Sequence, residues 1–276
     1  MKEEEIKTKV REGYAKIAQT AGSCCFPTVS CCGPERAIDK ISQGVGYRPE
    51  DLKAVPDGAN LGLGCGNPVA LASLKEGETV VDLGSGAGFD CFLAANAVGR
   101  SGRVIGVDMT PQMLDKAREN ARNGGYGQVE FRLGEIENLP VGDNTADIII
   151  SNCVINLAPD KERVFREAFR ILKPGGRLMV SDIVLLGELP AAIKDSIAAY
   201  VGCVGGAVKK DGYLAAIRTA GFQEVRIMDE TTFPVEDLLG HPAARESAVG
   251  FDTLKTTVAQ LSVTIASIKV YAAKPH

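Results

Sequence analysis

The chain has no surplus of positive charge. Its 31 Lys and Arg stand against 35 Asp and Glu, for a formal net charge of −4. It projects no basic field toward a phosphate backbone, so nucleic acid is not an expected partner. A long hydrophobic run is also missing. The most apolar stretch, Ala146 to Ala158, carries an Asp and two Asn and is too short to cross a bilayer. The opening residues, Met1-Lys-Glu-Glu-Glu, place charge where a signal peptide has its apolar core. These absences predict a cytoplasmic protein without membrane contact. Histidine is scarce, with only His241 and His276. There is no internal repeat, low-complexity tract or flexible interdomain linker.

What remains is ordinary in bulk. The 276 residues, 45% hydrophobic and 24% charged, suit one large α/β domain or one domain with an appendage. The eight cysteines are not ordinary. They fall at 24, 25, 31, 32, 65, 91, 153 and 203. In a reducing compartment they stay as thiols, with metal or redox chemistry as the special case.

The chain is organised around Thr79-Val-Val-Asp82-Leu-Gly84-Ser-Gly86-Ala-Gly88-Phe-Asp90. The β-branched run reads as a short buried parallel strand. Glycines at alternate positions let the backbone turn sharply and approach a ligand. A helix expected over 89–98 would face that ligand with its free N–H groups. The dinucleotide fingerprint needs a third glycine where Phe89 stands, so it fails. A second strand ends in Asp108-Met109, 24 positions after Gly84. A carboxylate at that place in a Rossmann-like sheet accepts hydrogen bonds from ribose hydroxyls.

Strand and helix then alternate as in a doubly wound sheet. Strands are predicted at 79–83, 103–108, 129–133, 146–151, 176–181, 222–229 and 263–273. Helices are predicted at 2–20, 35–42, 89–98, 111–123, 160–172 and 209–220, with a brief turn from Pro49. Residues 1–60 are expected to form a helical segment with cysteine pairs, and 61–276 the main domain. Residues 183–208 and 231–262 read as inserts, the second (231–262) without a role. A further Gly-rich loop, Asn60 to Pro68 around Cys65, precedes the first strand and can fold over its ligand. Cys153, at the end of the fourth strand, sits where open α/β sheets bind ligands.

The pattern Asp82-x-Gly84-x-Gly86-x-Gly88 resembles the first motif of class I methyltransferases that use S-adenosylmethionine (SAM). That resemblance implies a seven-stranded, mostly parallel sheet with helices on both faces and a reversed final strand pair. It implies cofactor contacts from Asp82, Gly84, Ser85, Gly86, Gly88, Asp90, Asp108, Met109 and Asn152. It also implies the Glu135 side chain and the Ile136 amide at the adenine, and Cys153 beside the donated methyl.

Three further stretches sharpen the likeness: Asp90-Cys91 after the glycine turn, Ser151-Asn-Cys153-Val-Ile-Asn-Leu157 with Pro159-Asp-Lys161, and Gly202-Cys203 with Gly205-Gly-Ala207. With Gly64-Cys65-Gly66, they resemble the arsenite methyltransferases. The resemblance implies that Cys65, Cys153 and Cys203 bind trivalent arsenic and that no metal cofactor is used. Arsenite and methylarsenite are the implied substrates, with thioredoxin or glutathione as reductant. It also implies one more cysteine near the N-terminus in thiol exchange. Cys31 and Cys32 are preferred over Cys24 and Cys25, because the Gly33-Pro34 turn exposes them before a helix start.

The chemistry agrees with that likeness. Trivalent arsenic is soft and suits thiolate ligands. Three sulfurs leave its lone pair free to attack a sulfonium methyl in line, so the paucity of histidine is no obstacle. Cys91, inside a helix, is expected to be packing. Adjacent cysteine doublets are poorly spaced for one tetrahedral zinc. The other readings are a methyltransferase of a small organic substrate with incidental cysteines, and an arsenic or metal sensor without catalysis.

Overall fold

The computed structural model describes residues 3–20, 37–189, 200, 203, 205–234 and 264–276. Among these, seven strands form one sheet: β1 (Thr79–Leu83), β2 (Arg103–Asp108), β3 (Val129–Leu133), β4 (Ala146–Asn152), β5 (Leu172–Leu185), β6 (Gln223–Pro234) and β7 (Thr264–Ala273). Their order is β3-β2-β1-β4-β5-β7-β6. β1 pairs in parallel with both β2 and β4, so the order of strands reverses at β1. A crevice therefore opens beyond the carboxyl ends of β1 and β4, the usual ligand position in such sheets.

The central strands are apolar because helices cover both faces. Val80, Val81, Leu83, Ile148, Ile149 and Ile150 are fully buried. α5 (Phe89–Val98) is buried on nearly every side, whereas α6 (Pro111–Gly124) and α7 (Lys161–Ile171) bury one stripe each. α6 starts with Pro111 at its first turn and ends at Gly125 in left-handed conformation (φ +70°). Asp160 caps α7 by accepting the Arg163 amide at 2.9 Å. α8 (Lys210–Thr219) closes the face beside α7, with Tyr213 and Ile217 inside.

Ahead of the sheet lie α1 (Glu3–Thr20), α2 (Ala37–Gly44), α3 (Pro49–Lys53) and α4 (Pro68–Leu71). The predicted apolar stripe of α1 is real: Val10, Ile17 and Ala18 are buried, with Ile6 and Tyr14 packed against the same cluster. α4 and a 3₁₀ turn at Ile155–Leu157 had no periodic signal, each being about one turn long.

Two expectations need correction. Only β7 is reversed; it runs antiparallel to both β5 and β6, so β6 points the same way as the parallel strands. The crossover through α8 delivers β6 in the parallel sense, and β7 returns into the gap between. The gap between the helix predicted at 160–172 and the strand predicted at 176–181 is a bulge inside β5. Pairing skips from Leu172 to Arg177 there, with Gly175 at φ +76°. β5 also runs on to Leu185 and β6 to Pro234, because β7 supplies partners that far. The residues before 37 in the second predicted helix lie outside the described residues, as do Cys24, Cys25, Cys31, Cys32 and most of the 231–262 insert.

Candidate active site

The glycine turn leaves β1 and enters α5 with Gly84, Gly86 and Gly88 at φ +73°, +51° and +96°. Only glycine takes such values freely. A Cβ on Gly88 would meet the Phe92 ring at 2.7 Å, while one on Gly86 would meet nothing within 4 Å. Gly86 thus presents bare backbone to open space. Asp108 braces the turn: one oxygen accepts the Gly86 amide at 2.9 Å, the other the Thr110 amide at 2.8 Å.

This turn floors a cleft with about 1080 Å³ of empty space. Of the eleven predicted cofactor residues, Asp82, Gly84, Ser85, Gly86, Asp90, Asp108, Met109, Ile136 and Asn152 line it. Gly88 does not; it caps α5. Glu135 does not either; its carboxylate pairs with Lys7 of α1 at 2.7 Å. The neighbouring Gly134 and Glu137 take wall positions instead. Lys7 also reaches Glu137 at 3.1 Å.

Several features of the cleft await a ligand. The buried Ser85 hydroxyl has no hydrogen-bond partner. Asp82 and Asp90 are both buried, and loss of water holds both carboxyls above the usual range, Asp90 at about 6. Desolvation raises Asp108 as well. Two buried carboxyls and a half-buried third around an open cleft fit a ligand carrying ribose hydroxyls and a cationic amine. The residues present therefore fit the SAM that the motif implies.

At the far end of the cleft stand the cysteines. Cys153 lines the cleft, and its sulfur is joined to that of Cys65 as a disulfide across 88 residues, with Cα atoms 5.6 Å apart. The Cys65 loop is held in place from two sides. Its amide donates to Asn152 Oδ1 at 3.0 Å, and its carbonyl accepts Ser267 Oγ at 2.8 Å. Cys203 lies one step back. Its thiol donates to the Cys153 carbonyl at 3.0 Å and receives the Tyr14 hydroxyl. Burial first, then Asp182, pushes the Cys203 thiol up to about 12. Cys153 and Cys203 both carry left-handed φ, +59° and +66°. That is uncommon for a non-glycine residue and concentrates strain where ligands would bind. Cys91 is buried against Asp82, its thiol 3.2 Å from Oδ2, and is packing as expected.

Four contributors were missed by sequence reasoning. Tyr47 donates to Asp90 Oδ1 at 2.6 Å and accepts from Asn152 Nδ2 at 2.8 Å. Tyr14 and Lys7 reach in from α1. Neither tyrosine nor the lysine carries a local signal, since each acts across distant elements. Asp182 could have been found. It directly follows the predicted fifth strand (176–181), and one of its carboxylate oxygens and the sulfurs of Cys65 and Cys153 all lie within 4.8 Å of one another.

The reversing parallel sheet, the glycine turn and the strand-end carboxylates define a class I methyltransferase. The family model described as a methyltransferase domain matches residues 74–227. The chain is 49% identical over 243 residues to an arsenite methyltransferase of Halobacterium salinarum, covering 85% of this chain and 62% of that protein. It is 36% identical to an arsenite methyltransferase of Aquipseudomonas alcaligenes, covering 83% of this chain and 65% of the relative. Among solved structures, an arsenic(III) S-adenosylmethionine methyltransferase from Chlamydomonas reinhardtii superposes with TM-score 0.64 at 32% identity, covering 88% of this chain and 75% of that one. The chain belongs to the arsenite methyltransferase family. It spans less than two thirds of the length of the curated relatives above.

Proposed function

We propose that the protein methylates trivalent arsenic from SAM, yielding methylated arsenicals and S-adenosylhomocysteine (SAH) in a cytoplasmic detoxification role. One observation carries this reading. Cys65 and Cys153 come from places 88 residues apart, yet their sulfurs meet at the wall of the cofactor cleft. Incidental cysteines have no reason to converge there with Cys203 behind them.

When bound, SAM supplies an electrophilic methyl on a sulfonium. Asp82 and Asp90 would hold its amine, Asp108 its ribose, and Ile136 the edge of its adenine, with Gly84, Ser85 and Gly86 along its backbone-facing side. Cys65, Cys153 and Cys203 would hold arsenic. Three thiols replace three hydroxyls of arsenite, and each exchange releases one water. No net charge is buried, which suits a site that keeps the Cys203 thiol neutral. The protein's share of catalysis is alignment of two reactants.

The disulfide must open first, so a thiol reductant such as thioredoxin or glutathione is part of the proposal. Cys31 or Cys32 would relay the exchange. Residues 1–60 would serve as a cap on the 61–276 domain; Lys7, Val10, Tyr14, Ser42 and Tyr47 already line the cleft.

Arsenite, SAM and reductant should yield methylated arsenic by mass analysis of the products. Cys153→Ser and Cys203→Ser should each abolish that product while SAH still binds by calorimetry. Retained turnover in either variant would favour a small organic substrate, and no product from the wild type would favour a sensor.

A further inference from the structure

Asp182 lies within β5, three residues before its carboxyl end, and is almost wholly buried, yet the arsenic reading gives it no task. Its two oxygens are unequally satisfied. Oδ1 accepts the Asn156 amide at 2.8 Å and the Ile183 N–H at 2.9 Å. Among the described residues, Oδ2 accepts only the Tyr213 hydroxyl, at 3.2 Å. A buried carboxylate oxygen accommodates more than one donor, and leaving that capacity unused is costly. The same carboxylate lies within 4.8 Å of both Cys65 and Cys153 sulfurs. Cys203 is not part of that close group, its thiol being turned to the Cys153 carbonyl.

An atom held by the two close sulfurs has three acceptors near it: the Ser181 carbonyl and Asn152 Oδ1, 3.7 and 3.9 Å from the Cys65 sulfur and each already taking a backbone amide, and Asp182, which alone of the three is a carboxylate. Arsenite that has exchanged two hydroxyls for Cys65 and Cys153, releasing two waters, keeps one hydroxyl. Methylarsenite making the same two exchanges keeps a methyl instead. We propose that Asp182 is a specificity-determining residue: it accepts a hydrogen bond from the hydroxyl left on arsenic and offers nothing to a methyl in that place. This inference rests on the arsenic reading above. The hydroxyl is then oriented for replacement by Cys203, whose thiol proton leaves on it as the third water.

A site built to hydrogen-bond a hydroxyl discriminates strongly against an analogue that lacks it, because the buried polar group is left without a partner. Removing the carboxylate should therefore cost arsenite far more than methylarsenite. The test uses the full chain with Cys203→Ala, so that both arsenicals are held by two sulfurs. Equilibrium dialysis under a phosphine reductant, without SAM, gives each dissociation constant by elemental mass spectrometry.

Adding Asp182→Leu should weaken arsenite roughly tenfold or more while methylarsenite changes little. Asp182→Asn keeps the shape and some hydrogen-bonding capacity, so it should fall between; it also serves if the leucine variant does not fold. Tyr213→Phe removes the other partner of Oδ2 and should leave the ratio unchanged. SAH titration reports the fold of each variant. Equal weakening of both arsenicals would reduce Asp182 to a structural role and overturn the inference, as would no change in either. Wild-type protein that retains neither arsenical would instead overturn the arsenic reading itself.

Discussion

At the scale of single residues, the cleft is defined by carboxyls whose pKa burial raises. Asp90 titrates at about 6 in the ligand-free protein, with desolvation as the largest cause. Its pKa is raised above the ordinary carboxylate value, so its proton is held over a window from about 4 to about 6 where it would otherwise be lost. A cationic amine needs the deprotonated form. SAH affinity should be flat above pH 7 and fall as pH drops through about 6, approaching tenfold per unit once one proton must be released. Calorimetric titrations at pH 5 and pH 7.5 check this, and an affinity that does not change between them would exclude Asp90 as the amine's partner. Asp82, Asp90 and Asp108 were legible in the sequence because a strand end and a helix start fix where they point. Tyr47 was not, since its part comes from a hydrogen bond to a residue 43 positions later. The pairing of Glu135 with Lys7 was not legible either, since that cation arrives from 128 residues away. A local motif cannot reveal either event.

At the scale of elements, the turn between β1 and α5 separates glycines needed for fold from glycines needed for ligand. Gly84 at φ +73° faces Val154, whose Cβ would sit 2.8 Å from an added Cβ. Gly84→Ala combines left-handed strain with overpacking and should cost about 2–4 kcal/mol of stability. Gly86→Ala carries only the strain, about 1 kcal/mol, because nothing stands within 4 Å. That open side is where a ligand would lie. Thermal melts and SAH titrations should therefore split: Gly84→Ala lowers the melting temperature most, whereas Gly86→Ala melts near the wild type yet loses SAH affinity by about tenfold, or 1.4 kcal/mol. A Gly86→Ala protein with unchanged SAH affinity would remove the turn from the cofactor site. The turn and its flanking elements were readable because apolar periodicity and glycine spacing are local. The reach of β5 and β6 was not, because a strand's length depends on the partner that pairs with it, here β7.

For the whole molecule, the sheet acts to bring together sulfurs that the chain keeps apart. Cys65 precedes β1 and Cys153 follows β4, and joining them closes a loop across 88 residues. In the chain-entropy view a link of that span restrains the unfolded state by about 4.6 kcal/mol, which in a protein of this size corresponds to roughly 9 °C or more in melting temperature. Reduction should lower the melting temperature by an amount of that order. Arsenite binds the same two sulfurs under the proposed function, so it closes the same loop and stabilises only the folded chain. Added to the reduced protein, arsenite should recover much of the lost temperature; added to the oxidised protein, it should recover nothing through Cys65 and Cys153, whose sulfurs are already joined there. Cys65→Ser should abolish both the drop on reduction and the recovery with arsenite, leaving the SAH-dependent shift intact. Differential scanning fluorimetry under the four combinations of reductant and arsenite reads all of these effects. Recovery that persists in Cys65→Ser would place the arsenic elsewhere, on sulfurs that the convergence of β1 and β4 does not organise.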